Sequence, residues 1–320
     1  MPQSYARKDF SKMIPFPLRF VGIVSALIAV TIWAAFLLGT RWGVSGVFSV
    51  EELLLLRLLT ATIITSPLMI KLGVLVRGQS FISTFMLTLG SSAVFPFFIS
   101  LGLSYASASD AGALAPGMLP FWAALFSWLI LGEGVSRMRL LGLIIILSGA
   151  FLVGFWQIFH GTEPSAWKGH LLFLLGAGLF SIYTVYFRQS GLSPTHGLVI
   201  GLFWGTLVSV PLLFFFGNIS FLTVSWTQII NMSILQGVLN AIIALLFYSI
   251  AIRQIGSAQA GAFGALTPIL ALIGGVVFLG EAVSLVKVIG IMVVAFGVLM
   301  ASGVFEKANF SLPSKGENYE

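Results

Sequence analysis

Pro120…Leu131-Gly132-Glu133…Ser136…Gly142…Gly149 recurs as Pro268…Leu279-Gly280-Glu281…Ser284…Gly290…Gly297, each residue 148 positions after its counterpart. One offset for every pair makes this an internal duplication. Each copy holds an odd number of apolar stretches long enough to span a membrane. A duplicated unit with an odd number of spans enters the bilayer in opposite senses, so the two halves are inverted. Inverted repeats with a binding site at their interface are a transporter architecture.

Composition sets the class. The chain is 58% hydrophobic and 8% charged, with a mean hydropathy of +1.06, whereas a soluble domain is roughly 25% charged. So few charges cannot cover a water-facing surface, which leaves a polytopic membrane protein. The formal charge of +6 does not point to nucleic acid, because the basic residues sit in tails and short loops beside apolar runs. Cysteine is absent, which excludes disulfides, thiol catalysis and thiolate metal sites. The sequence has no P-loop and no loop long enough for a separate nucleotide-binding or catalytic domain, so a primary pump driven by ATP is excluded. No cofactor and no metal are expected. Arg7, Lys8, Lys12 and Arg19 precede an apolar run from Phe20, as in a signal peptide. That run continues to about Thr40 without a small-residue cleavage site, so it reads as a retained first span.

A helix needs about 20 apolar residues to cross the hydrocarbon core. Ten stretches qualify: 20–40, 53–70, 81–105, 110–131, 140–158, 169–187, 196–216, 229–252, 257–279 and 285–304. The expected fold is therefore an all-α integral membrane protein, with ten transmembrane helices as two inverted five-helix repeats. Residues 20–158 form the first repeat and 169–304 the second, joined by a linker at 159–168 and flanked by tails at 1–19 and 305–320. The correspondence reaches the first span of each half, where Gly22 and Arg41 match Gly169 and Arg188 at an offset of 147. With the N-terminus inside, Arg7, Lys8, Lys12, Arg19, Lys71, Arg77, Arg137, Arg139, Arg188, Arg253, Lys307 and Lys315 fall on the inner side, and Arg41, Lys168 and Lys287 on the outer. This excess of basic residues on one side predicts cytoplasmic termini and an external linker. The expected location is the cell's inner (plasma) membrane.

These features resemble the drug/metabolite transporter superfamily, in its EamA-like ten-helix branch. The residues that carry the resemblance are Ile32-Trp33-Ala34-Ala35-Phe36 in span one, Leu56-Arg57-Leu58-Leu59 in span two and Tyr105-Ala106-Ser107-Ala108 at the end of span three. The duplicated Pro120…Gly132-Glu133 and Pro268…Gly280-Glu281 are the strongest, and the resemblance covers about residues 20–304. It implies a basket of ten helices around a central cavity, alternating access and, for many members, export of amino acids or other metabolites. The first span departs from the commoner Trp-Gly-Ser-Asn-Phe pattern with Ala34 and Ala35, which removes the usual polar Asn from the pore wall.

The ionisable residues have structural and functional readings. Glu133 and Glu281 each precede a helix, where an acidic group favours the positive end of the dipole, and Ser136 and Ser284 are placed to cap the same helices. The two glutamates fall on opposite membrane faces and so form no common proton site. Asp110 opens span four after Ser107 and Ser109, which reads as a helix cap or, alternatively, a proton-linked group. Arg57 is the one charge well inside a span. It reads as a snorkelling side chain, as one half of an ion pair with Glu52 or Glu51, or as the anchor for a substrate carboxylate. His160, His170 and His196 are scattered and show no metal-ligand pattern.

Pro120 and Pro268 interrupt spans four and nine, kinking them and exposing backbone carbonyls that are tolerated where they line a cavity. The candidate substrate-binding residues are Trp33, Arg57, Trp122, Tyr183, Gln236, Asn240 and Tyr248. Gln236 and Asn240 are four apart on one face of span eight, and intramembrane amides serve equally to line a pore or to bond neighbouring helices. Tyr183 and Phe36 are repeat equivalents. Gly197-Gly201-Gly205, Ala113-Gly117, Ala260-Gly264 and Gly261-Ala265 are small-residue ladders that allow close helix approach.

The expected function is secondary transport, by export or facilitated movement, of a small neutral, zwitterionic or apolar solute such as an amino acid. The alternatives are a proton-coupled antiporter and, from another class, a membrane enzyme acting on lipid. The expected partners are a small-molecule substrate and membrane lipid, without nucleic acid, in a monomer or homodimer. No carboxylate lies in mid-span, so transport down the solute gradient alone is favoured over proton coupling. For the topology, Ser165→Cys in this Cys-free chain is expected to react with an impermeant maleimide added to intact cells. Reaction only from the cytoplasmic side would reverse the assigned orientation.

Overall fold

A computed structural model describes residues 16–75, 81–160 and 164–305. Most of both tails, and residues 161–163 of the linker, lie outside them, as do Arg7, Lys8, Lys12, Arg77, Lys307 and Lys315. The described residues fold as helices: α1 Phe16–Val44, α2 Val50–Leu72, α3 Phe81–Ser91, α4 Val94–Tyr105, α5 Ala108–Leu114, α6 Leu119–Leu131, α7 Arg137–His160, α8 Ala166–Ser190, α9 Pro194–Phe216, α10 Trp226–Ser233, α11 Ala244–Ile255, α12 Ser257–Phe263, α13 Leu266–Leu279 and α14 Leu285–Ala301. Grouped by chain continuity they make ten spans. Nine are long and apolar enough to cross a membrane, and α14 is the shorter tenth.

Several spans are broken. Span three, expected as one helix, divides between α3 and α4. Pro96 lies in the first turn of α4, and a proline lacks the N–H that a helix interior requires. Span four breaks at a 3₁₀ turn, Pro116–Met118, before α6. Span nine breaks between α12 and α13. In both, the expected proline sits in the first turn of the helix that follows the break, Pro120 in α6 and Pro268 in α13, where its missing N–H costs nothing. Span eight passes through a π-helical stretch, Ile234–Ile243, between α10 and α11.

The ends follow local chemistry. Ser49, Ser107, Ser193, Ser225 and Ser284 cap the helices that follow them. Gly132 and Gly280 of the duplicated motif end α6 and α13 in the left-handed conformation, with φ of 68° and 64°, which glycine adopts without steric cost. Ser136 and Ser284 accept from Arg139 N and Lys287 N, as their position suggested.

Loop hydrogen bonds sort the helix ends onto two faces. On one, Ser49 Oγ donates to the Asn218 carbonyl, and Glu52 accepts from Ser220 N and Phe221 N. On the other, His196 Nε2 meets the Gly73 carbonyl, Trp204 donates to the Val74 carbonyl, and Arg188 pairs with Glu133. The Arg188 partner holds the exposed Glu133 carboxyl below the usual carboxylate range; so exposed a pair contributes little stability.

Packing obeys the duplication. Span one packs on span eight and span three on span six, while spans two and seven, four and nine, and five and ten pair with each other. The last pair packs most extensively. A methyl group at Gly149 would lie 2.7 Å from the Gly290 carbonyl oxygen, and one at Gly142 would lie 2.9 Å from that of Gly297. Gly142 and Gly290 are repeat equivalents, as are Gly149 and Gly297, so one contact is the image of the other. The early end of α7 therefore meets the late end of α14, and the two helices run antiparallel.

Gly149→Leu must push backbone away from backbone. Overpacking typically costs about 1–3 kcal/mol, and a marked fall in melting temperature is expected. Gly134→Ala, where nothing lies within 4 Å, is expected to melt near wild type; equal melting of the two variants would dismiss the contact.

Candidate functional site

A cavity of about 140 Å³ lies between both halves, walled by Trp33, Phe36, Arg57, Tyr183 and Asn240 together with apolar residues of α4, α8 and α9. The backbone break of span four, at Ala115 and Pro116, forms part of the wall. Half-broken helices at a repeat interface are where transporters build their sites.

The wall is made of repeat equivalents. Trp33 and Phe180, and Phe36 and Tyr183, are related by the offset of 147 that relates Arg41 to Arg188, and Ser92 and Asn240 by 148; all six line the cavity. The cavity therefore sits on the pseudo-two-fold axis. Arg57 breaks the symmetry, because its counterpart falls at Trp204 or Gly205, neither of them charged.

Arg57 is 6% exposed. The expected ion pair with Glu52 or Glu51 is not formed. Glu52 accepts from Ser49 N in a capping box and from Ser220 N and Phe221 N. One Arg57 N–H donates to the Gln236 carbonyl at 3.2 Å, and the guanidinium lies 5.8 Å from the Phe36 ring centre. Its Nε has no hydrogen-bond partner, and no carboxylate pairs with it among the described residues. A buried cation in a low-dielectric site is costly unless paired. Arg57 thus lines the cavity with one N–H engaged and no counter-charge among the described residues.

The other expected site residues divide. Trp33, Tyr183 and Asn240 face the cavity with Arg57. Tyr248 stands behind Trp33, with ring centres 5.0 Å apart. Gln236 is buried; its side-chain amide donates to Thr40 Oγ1 at 2.9 Å and its backbone carbonyl accepts from Arg57. It bonds helices rather than lining the pore. Trp122 packs on Phe126, with ring centres 5.7 Å apart, and does not line the cavity. Pro268 packs where spans nine and four cross, its Cα 3.1 Å from a methyl group placed on Gly112.

A second polar centre was not visible as such in the sequence. Asp110 is fully buried, and it is not the cap of α5; Ser107 is. Asp110 pairs with Lys287 Nζ at 2.9 Å and faces His170 Nε2 at 3.3 Å. Lys287 also donates to Ser107 Oγ at 2.9 Å. Glu281 does not serve its own following helix. It accepts from Ala108 N at 2.6 Å and Ser109 N at 3.1 Å, at the start of α5. The dipole argument holds, but for a helix of the other repeat. Residues from α5, α8, α14 and two loops thus converge at one membrane face, and their charges are closed against each other rather than open to a solute. Among the described residues no group of three His, Asp or Glu is arranged to hold a metal ion.

The EamA-like transporter family profile matches residues 20–155 and again 167–303. The chain is 27% identical over 286 residues to the uncharacterized transporter YdfC of Bacillus subtilis, spanning 86% of this chain and 89% of that one. It is 28% identical over 232 residues to the uncharacterized transporter YyaM of the same organism, spanning 68% and 72%. A solved crystal structure superposes with a TM-score of 0.59 at 18% identity, over 89% of this chain and 98% of the other, a likeness of fold.

Removing one partner of a buried ion pair typically costs about 3–5 kcal/mol. Asp110→Asn, which strands Lys287, is expected to lower the melting temperature sharply. Asp110→Asn combined with Lys287→Met is expected to recover most of the loss. A single variant as stable as wild type would show that the pair holds nothing.

Proposed function

Because the chain belongs to the EamA-like transporter family, we propose that it is a secondary transporter that moves a small carboxylate-bearing solute, such as an amino acid, by alternating access. The observation that carries the substrate class is Arg57, buried at the cavity with no carboxylate partner among the described residues. A neutral apolar solute would leave that cation unpaired. A phosphorylated solute would call for several cations, and Arg57 is alone among the cavity's lining residues. Trp33, Phe36, Phe180 and Tyr183 offer an apolar and aromatic surface for the body of the solute, and Asn240 a polar one. A cavity of about 140 Å³ is close to the roughly 150 Å³ that admits a benzene ring, which favours compact solutes. The protein sits in the plasma (inner) membrane with both termini in the cytoplasm, on the basic-residue count.

Transport runs down the solute gradient without proton coupling. The cavity lining contains no Asp or Glu, and Asp110 is neutralised by Lys287 at a distance from it.

The test is counterflow in proteoliposomes, with radiolabelled small amino acids and monocarboxylates set against neutral solutes of similar size. Carboxylate-bearing solutes are expected to exchange. Arg57→Gln is expected to lower their exchange at subsaturating concentration by about tenfold or more, the worth of one hydrogen bond to a charged group at roughly 1.5–3 kcal/mol. A folded Arg57→Gln protein with unchanged exchange would remove the anchor, and absence of exchange for the whole panel would remove the substrate class. Concentration of the solute by an imposed pH gradient at clamped membrane potential would overturn the uncoupled mechanism.

A further inference from the structure

A groove of about 730 Å³ runs along the lipid-facing side of the molecule between α5, α7 and α8. It is separate from the central cavity and shares no lining residue with it. Leu114, Met118, Leu147, Phe151 and Leu174 make it apolar. Ser148, also on its wall, already donates to the Ile144 carbonyl. The exception is His170.

His170 is 6% exposed. Its Nε2 faces Asp110 Oδ2 at 3.3 Å. Asp110, paired with Lys287, is a carboxylate and can only accept, so Nε2 carries a proton, and in the neutral imidazole Nδ1 is then the acceptor. Nδ1 has no partner. It is the one atom that a methyl group on Gly154 would meet within 4 Å, at 3.8 Å, and Gly154 lines the groove. The imidazole thus turns an unsatisfied acceptor toward the groove's end.

Depth identifies the occupant. Trp167 and Lys168, exposed in the first turn of α8, mark the membrane–water interface. His170 lies one turn deeper, and from it the groove descends through Phe151 to Leu147, near the middle of α7. Hydrocarbon without water must fill the apolar part, while an unsatisfied buried acceptor is costly until a donor reaches it. A phospholipid meets both demands, with an acyl chain below and an N–H or O–H donor at the headgroup level.

We propose that this groove holds one phospholipid, its acyl chain between α7 and α8 and a headgroup donor bonded to His170 Nδ1. Ethanolamine and glycerol headgroups carry such a donor, and choline carries none. The lipid would steady the imidazole that faces Asp110, and so would join a bilayer component to the cluster that ties the two repeats together.

Native mass spectrometry of the full chain tests this, after delipidation in mild detergent and titration with phosphatidylethanolamine, phosphatidylglycerol or phosphatidylcholine of identical chains. One phosphatidylethanolamine or phosphatidylglycerol is expected to stay bound, about tenfold more tightly than phosphatidylcholine. Gly154→Leu, which fills the groove beside Nδ1, is expected to lose it, with a melting temperature near wild type in lipid-free detergent. His170→Phe is expected to bring the three headgroups to equal, weak binding. No bound phospholipid on the wild type, or headgroup-blind binding that survives Gly154→Leu, would overturn the proposal. Should His170→Phe fail to fold, Gly154→Leu and the headgroup comparison on the wild type decide it.

Discussion

A charge inside a bilayer is tolerated where it is paired, snorkels to the interface or lines a cavity, and the few charges in this chain follow that rule. Asp110 and Lys287 come from different repeats, at helix ends that the two antiparallel halves bring to the same face, and they close on each other at 2.9 Å. Their union brings the starts of α5 and α14 together, one turn before Gly290 of α14 meets Gly149 of α7. The ion pair is therefore a consequence of the inverted packing and also a clasp on it. Arg57 meets the rule in its third form: it lines a cavity, and among the described residues no carboxylate pairs with it.

Much of this was legible in the sequence. The duplication, the ten spans and their inversion follow from repeat offset and hydropathy; the breaks of spans four and nine fall just before Pro120 and Pro268 rather than at them, because a proline fits the first turn of a helix. The broken third span was missed because hydropathy reads composition, and Pro96 changes helix continuity without lowering apolarity. The π-helical stretch at Ile234–Ile243 left no mark in composition either.

The polar contacts were harder to see, because they join residues remote in sequence. Asp110, His170 and Lys287 looked scattered, although each lies near a span end that the topology assigns to one face; depth would have grouped them. The Arg57–Glu52 pairing failed for a readable reason. Ser49-x-x-Glu52 is a capping box, and a carboxylate engaged at its helix start and with Ser220 N and Phe221 N is no longer offered to an arginine one turn away. Glu281 illustrates the converse. An acidic residue beside a helix start does favour a positive dipole, but the nearest dipole in space belonged to α5, not to the helix that follows in sequence.

Symmetry and function pull in different directions at the cavity. A duplicated chain delivers equivalent side chains across a two-fold axis, and Trp33 with Phe180, Phe36 with Tyr183, and Ser92 with Asn240 are such pairs. A site built only of such pairs would bind a small asymmetric solute in two orientations related by the axis. One charge placed off the axis removes that degeneracy. For the carboxylate-bearing solute proposed above, Arg57 on one side and the uncharged Trp204 and Gly205 at its image would leave the carboxylate a single place to go. On that proposal the rest of the solute would lie toward the second half, beside Tyr183 and Asn240, which also line the cavity. An inverted repeat thus supplies two related walls from one backbone plan, while on the proposed function a single unmatched residue in one copy would supply the direction in which the solute is held.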